Sequence, residues 1–241
     1  MSNSVPIHRT RNIVVTLTGL TCASSNPKTG NMLQAAILPR RVDPFTAVQT
    51  GADKAVCGDC PLRPILARMA KSVRCYVRTA QFPLAVWRAV RGKRVKPLSA
   101  LNLTQGKRNR RAENKPVRLG AYGDPVLIPL PMLEELTADR KRTGYTHQWR
   151  TCDPAYRRYL MASCETAEDV IDANKRGWRT FRTVASADSQ LMPDEILCPN
   201  YTHKVTCADC GLCNGAGKAK NIAIPVHGTQ EAAATAFERR A

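Results

Sequence analysis

Ten cysteines stand in a chain of 241 residues, and their spacing carries the strongest chemical signal in the sequence. The densest group is Cys207-Ala-Asp-Cys210-Gly-Leu-Cys213, with Cys198 upstream. Two residues between cysteines let the chain turn so that both sulfurs face one ion. Three such thiolates with a more distant fourth suit a cubane iron–sulfur cluster. Tetrahedral zinc accepts the same four sulfurs. His203 is a substitute ligand for one of them.

A second group is Cys57-Gly-Asp-Cys60-Pro61, joined by Cys75, which precedes Tyr76. It supplies three thiolates, with Cys22 as an optional fourth. A three-thiolate site leaves a metal position open, as a catalytic centre does. A redox CxxC pair or ordinary core cysteines are the alternatives. Cys152 and Cys164 have no CxxC partner and read as core residues, since free cysteine is among the most buried residue types.

Two further segments offer acid–base or ligand-binding groups. In Arg118-Leu-Gly120-Ala-Tyr122-Gly123-Asp124-Pro125 a strand runs into a small-residue turn with an acidic tip. Its glycines allow a ligand close to the backbone, and Asp124 has the chemistry of a base, a nucleophile or an amine ligand. The plainer reading is an Asp-Pro turn. In Tyr145-Thr-His147-Gln-Trp149, alternation along a strand places Tyr145, His147 and Trp149 on one face, with an imidazole between two aromatics. Such a face suits base stacking, and a satisfied core histidine is the alternative. His227 is a weaker candidate of the same kind.

The whole-chain properties bound what these groups serve. Lys and Arg number 37 against 19 Asp and Glu, a net charge of +18. Such a field favours a polyanionic partner, and nucleic acid, DNA or RNA, fits better than a membrane surface. Lys107, Arg108, Arg110 and Arg111 form the densest basic run and the expected nucleic-acid contact. No apolar run approaches the ~20 residues of a membrane span, and the N-terminus lacks a signal-peptide pattern. A cytoplasmic protein is therefore expected. In that reducing compartment clustered cysteines point to metal or redox chemistry more than to disulfides.

The elements that must position these groups read as alternating strands and helices. Strands are expected at 12–20 and 32–38, and helices at 61–79 and 82–91. A basic loop or linker follows over 92–116. The remainder reads as a strand at 117–122, a helix at 130–143, strands at 145–149 and 159–162, a capped helix at 166–176, and strands at 178–184 and 222–226. This is the alternation of an α/β parallel sheet, and it predicts a partly open (β/α) barrel-like fold with cysteine-rich metal-binding loops. The parts are 1–91, with the first cysteine group; 92–116, the basic linker; and 117–241, the main α/β part with the late group. Together they read as one domain.

Three resemblances add to this reading. The run Gly-Ala-Tyr-Gly-Asp-Pro, a helix, then Gly-Tyr-Thr-His-Gln-Trp resembles the middle of a radical S-adenosylmethionine enzyme. That resemblance implies that Gly120, Tyr122, Gly123 and Asp124 contact S-adenosylmethionine. It implies that Cys57, Cys60 and Cys75 replace the family's CxxxCxxC around an open iron–sulfur cluster, with the late group as an auxiliary centre. The whole chain also resembles the bacteriophage family called gene product eighty-eight, through Asn26-Pro-Lys-Thr-Gly30, the three-cysteine segment and Arg118-Leu-Gly. This implies a phage origin and, with it, the host-cell cytoplasm. The late cysteines and Asp124 are similar to tRNA-guanine transglycosylases and their DNA-modifying relatives, which implies zinc and an aspartate nucleophile.

The leading expectation is a metal-cluster enzyme that modifies nucleic acid by radical-type chemistry, with Asp124 and His147 as catalytic residues. A zinc transglycosylase-like enzyme and a zinc-stabilised nucleic-acid-binding protein without catalysis are the rivals. The sequence does not choose between iron–sulfur and zinc, nor fix the oligomeric state.

Overall fold

The computed structural model of the protein describes residues 3–24, 26–69, 75–103, 115–215 and 217–226. The first sheet begins with β1 (Ser4–Arg9), β2 (Ile13–Thr18) and β3 (Leu33–Pro39), paired antiparallel in that order. All six residues of β2 and all seven of β3 are buried, which suits their branched and small apolar sequences. Four helices follow: α1 (Pro44–Thr50), α2 (Lys54–Cys57), α3 (Pro64–Met69) and α4 (Phe82–Val90). The Asp43 carboxylate caps α1 by accepting from the Phe45 and Thr46 amides, each at 3.0 Å, with Pro44 at the first helical position. The short strand β4 (Val117–Arg118) lies parallel beside β3, and β5 (Arg142–Thr143) lies parallel beside β4, with α5 (Leu130–Thr137) between them in sequence.

The second sheet is wholly parallel. It contains β6 (Tyr145–Thr146), β7 (Met161–Cys164), β8 (Thr180–Val184), β9 (Glu195–Leu197) and β10 (Asn221–Pro225), in the spatial order β6-β7-β8-β10-β9. Helix α6 (Ala167–Lys175) connects β7 to β8, with a capping box in which Thr166 and Asp169 satisfy each other's amides. Two short helices, α7 (Pro199–His203) and α8 (Cys207–Cys210), connect β9 to β10.

A single residue, Gly144, separates β5 from β6. The Leu119 amide donates to Thr143 O on one side of it, and the Met161 amide donates to Gly144 O on the other. One contiguous buried cluster draws on both sheets, from Val15, Leu17 and Ile37 to Leu160, Ala162 and Trp178. Cys164 lies in that core, as its isolation in sequence predicts.

Several elements differ from the sequence reading. The fold is mixed α/β in two five-stranded sheets, and among the described residues these do not close into a barrel. The helix expected over 130–143 ends at Thr137, because Arg142–Thr143 instead pair with Val117–Arg118. Local helical periodicity there yields to tertiary pairing. The strand expected over 117–122 is two residues long and turns at Leu119, and that over 145–149 stops at Thr146. The helix expected over 61–79 is described only as Pro64–Met69, and Cys75 onward is not helical. Strand β1 and the short β9, α7 and α8 carry too little periodicity to be read from sequence. The basic run Lys107, Arg108, Arg110 and Arg111, and His227, lie outside the described residues. No described helix is long and apolar enough to cross a membrane.

Candidate metal centres and the cleft beside them

The first cysteine group is assembled from segments that follow the carboxyl ends of parallel strands. After β3 come α1, α2 and the knuckle carrying Cys57 and Cys60. After β4 comes the turn Gly120–Asp124, after β6 comes His147, and after β7 comes Glu165. Such ends are where open α/β sheets place their ligand sites.

The knuckle is locked by a buried ion pair. Arg63 Nε and Nη2 bond the two Asp53 carboxylate oxygens at 3.0 and 2.8 Å. The same guanidinium reaches Gly51 O at 2.8 Å and Gly58 O at 3.3 Å, tying both flanks of α2. Gln148 Nε2 donates to Cys57 O at 3.2 Å, so the segment after β6 is fastened to the same turn. The turn after β4 docks from the other side, with the Asp124 amide donating to Val56 O at 2.7 Å. Gly123 has φ of 76°, and a Cβ there would meet Ile37 O at 2.6 Å and Val56 O at 3.2 Å. Glycine is needed at that position both for its backbone angle and for the approach of α2.

Asp124 is buried and its carboxylate is engaged by three donors. Oδ2 accepts from Thr146 Oγ1 at 3.0 Å and from the His147 amide at 3.1 Å, and Oδ1 accepts from the Val126 amide at 3.2 Å. Burial raises its pKa above the ordinary carboxylate range, against the pull of those bonds. Asp124 therefore sets the start of the segment that carries His147. The His147 ring places Nε2 3.1 Å from Glu165 Oε1, and Cys60 acts on the same ring. Desolvation favours the neutral ring, but Cys60 and Glu165 outweigh it and hold its pKa well above the usual histidine value.

Cys57 and Cys75 belong to the same constellation. Burial raises both thiols, Cys57 well above its ordinary value and Cys75 to about 11; Cys60 raises each further, and Cys57 also feels Cys75. Tyr122, the neighbour of Gly123, is buried with its hydroxyl unpartnered, and its pKa is raised first by burial and then by Cys57, Asp53 and Cys75. Glu165 Oε2 is a second buried atom without a partner beside this group. Buried polar atoms left unpaired are costly.

The late group is held mainly by residues at the amino ends of strands. The Cys207 and Ala208 amides donate to Lys28 O and Thr29 O, each at 3.0 Å, just ahead of β3. Cys213 O accepts from the Gly144 amide ahead of β6 at 3.1 Å. Arg179, ahead of β8, bonds Leu212 O, Asn214 Oδ1 and Gly215 O at 2.9, 3.1 and 3.0 Å. Cys198 follows β9, and its amide donates to Ala223 O at 2.8 Å. The four sulfurs lie close enough to bias one another. Burial and then the charges of Cys198, Cys207 and Cys210 push Cys213 up to about 12, against the pull of Tyr145. Cys207 is raised by burial and by Cys198 and Cys210, while Arg118 lowers it.

Arg118 and Tyr145 stand between the two groups. Arg118 Nη2 donates to Tyr76 Oη at 2.9 Å, next to Cys75, and its charge acts on both Cys75 and Cys207. Tyr145 packs on Phe181 with ring centroids 4.2 Å apart and pulls the Cys213 pKa down. The expected single face of Tyr145, His147 and Trp149 is thus divided three ways. Tyr145 turns to the late group, His147 to the first, and Trp149 Nε1 donates to Ser163 O at 3.1 Å under the Arg150 guanidinium.

All ten cysteines are free thiols. Among the described residues no group of three or more His, Cys, Asp or Glu side chains is arranged so that it could hold a metal ion as it stands. Cys57, Cys60 and Cys75 with His147, and Cys198, Cys207 and Cys210 with Cys213, are thiols and an imidazole, donor types that zinc accepts. Asp53, Arg63, Glu165, Tyr76 and Arg118 were not picked out by sequence spacing. Glu165 had the one usable signal, its place directly after the 159–162 strand. No known protein family, curated protein or solved structure matches the chain.

Proposed function

We propose that the chain is a metal–thiolate protein with two centres, the first serving chemistry on nucleic acid and the second bracing the fold. The observation that carries this reading is that Cys57, Cys60, Asp124, His147 and Glu165 all follow carboxyl ends of parallel strands and meet at one place. On this reading the two sheets, continued through Gly144, form the wall of a partly open (β/α) barrel. Cys57, Cys60 and Cys75 hold an iron–sulfur cluster at its mouth, and S-adenosylmethionine meets that cluster along the turn Gly120–Gly123. Asp124 acts through His147 as a positioning residue, since all its bonds are internal. Cys198, Cys207, Cys210 and Cys213 hold the second centre. The net charge of +18 supports a nucleic-acid substrate, with Lys107, Arg108, Arg110 and Arg111 as its long-range contact.

A second reading rests on Cys60 acting on the His147 ring, which brings an imidazole to the three thiols. Three thiolates and one imidazole make a closed tetrahedral zinc site, and the protein is then a zinc-stabilised nucleic-acid-binding protein. A transglycosylase-type role for Asp124 as nucleophile gains no support from a carboxylate already bonded to three donors.

Anaerobic purification separates the two. Brown protein containing iron and sulfide, which binds S-adenosylmethionine and loses that binding in Cys60→Ser, supports the first. Colourless protein with stoichiometric zinc and no such binding supports the second.

A further inference from the structure

A cleft of about 320 Å³ opens beside Tyr76 and Arg118, lined also by Arg78, Gln34, Asn26 and Phe82. It is at the lower end of the roughly 300–1,000 Å³ typical of small-ligand sites. Its lining contains two guanidiniums, amides and two aromatic rings, and no carboxylate.

Arg118 gives the cleft its character. The guanidinium is half-buried, and among the described residues it forms no ion pair with any carboxylate. The one hydrogen bond it makes there goes to Tyr76 Oη. Desolvation opposes its charge, and Tyr76, Tyr145 and Cys207 sustain it. The fully buried guanidiniums are partnered differently: Arg63 on Asp53, Arg182 on Glu195, and Arg179, its Nε excepted, on a ring of loop oxygens. Arg118 therefore has donors to spare, directed at a cavity wall that carries a second, exposed cation in Arg78. A planar guanidinium fork matches the oxygens of a phosphate. Tyr76, 57% exposed, and Phe82 add ring faces of the kind on which a nucleobase stacks.

We propose that the cleft between Arg78 and Arg118 binds a phosphate-bearing nucleotide unit, with the phosphate on the two arginines and the base against Tyr76 or Phe82. This rests on the nucleic-acid part of the reading above for its choice of ligand and is independent of which metal, if any, the thiols hold. The unit comes either from a nucleic-acid strand or from a free nucleotide, and the two differ in how affinity grows with chain length.

The test is equilibrium binding of the full chain, as purified, to a nucleoside 5′-monophosphate, to inorganic phosphate and to a short single-stranded oligonucleotide. Saturable monophosphate binding is expected, weakened at least tenfold in Arg78→Gln and in Arg118→Lys, and weakened in Tyr76→Ala for the nucleotide but not for phosphate. The Arg78 side chain is exposed and makes no hydrogen bond or ion pair among the described residues, its carbonyl alone accepting from the Gln81 amide, so its variant remains informative if Arg118→Lys fails to fold. Oligonucleotide binding that is much tighter than monophosphate binding and equally sensitive to Arg78→Gln assigns the unit to a strand; equal affinities assign it to a free nucleotide. The proposal is overturned if none of the three probes binds, or if binding persists unchanged in Arg78→Gln and Tyr76→Ala. Metal and sulfide content, measured on the same samples, reads the metal-centre proposal separately, so either can fail alone.

Discussion

The two cysteine groups use the same residue type with different anchorage, the late one, apart from Cys198 after β9, being held mainly by residues that precede strands. The first lies where β3, β4, β6 and β7 end, and its supports converge on side chains: Asp53 on Arg63, Asp124 on the start of the His147 segment, Glu165 on His147. The late group is tied by backbone bonds to Lys28, Thr29 and Gly144, which precede β3 and β6, and by the Arg179 side chain ahead of β8. In α/β architecture the carboxyl ends of strands carry ligands and chemistry, whereas the opposite end serves stability. Buried polar atoms without partners flank both groups, Tyr122 Oη and Glu165 Oε2 at the first and Thr29 Oγ1 and Arg179 Nε at the late one. The difference teaches that CxxC spacing brings thiols into one neighbourhood without fixing a role, and that the surrounding bonds are what distinguish the two neighbourhoods.

The comparison breaks most readily at the late group. Cys207→Ser or Cys210→Ser should abolish cooperative unfolding or render the protein insoluble, because metal-binding energy at a structural site, about 10–16 kcal/mol for zinc-finger peptides, is folding energy. Cys60→Ser should leave a cooperative thermal transition while removing metal from the first site only. Equal loss of folding from both substitutions would erase the distinction.

Next in size is the lock on the first knuckle. Asp53→Ala strands the Arg63 guanidinium, which is only 6% exposed. Breaking one side of a buried pair costs about 3–5 kcal/mol. Urea unfolding should show that loss, and the remaining folded protein should bind less metal at the first centre and a full complement at the late one.

Part of the fold was legible in the sequence, and the missing part has a physical cause. The capped helix at 166–176 and the buried strands around 12–20 and 32–38 are local patterns, and each appears in the fold. The positioning residues are not local. Asp53 and Arg63 are joined through a turn, Glu165 meets His147 across two strands, and Arg118 reaches Tyr76 from 42 positions away. Arg142–Thr143 reads as helix because its own residues permit helix, and becomes strand because Val117–Arg118 is there to pair with it.

Asp124→Asn sharpens the account of the first group at a more moderate cost. The amide nitrogen would face the Thr146 hydroxyl or the His147 amide, or the Val126 amide if flipped, leaving a buried donor opposed to a donor. The expected destabilisation is about 1–3 kcal/mol, read by chemical denaturation, with the His147 ring resonance displaced in NMR. An unshifted His147 would show that Asp124 does not position it. The smallest effect belongs to Gly30, whose φ is 70° and whose added Cβ would meet Thr206 Oγ1 at 2.8 Å. Gly30→Ala should cost about 1–2 kcal/mol from the left-handed backbone alone. Its loss of melting temperature should be accompanied by easier metal release from the late group and none from the first.

The most direct test of two separate thiolate centres is metal stoichiometry on anaerobically purified chain, wild type beside Cys60→Ser and Cys207→Ser. The account predicts two centres in the wild type, with Cys60→Ser retaining the late one and any folded Cys207→Ser retaining the first. Wild-type protein that folds and melts cooperatively without metal, with its cysteines titrating as free thiols, would contradict it.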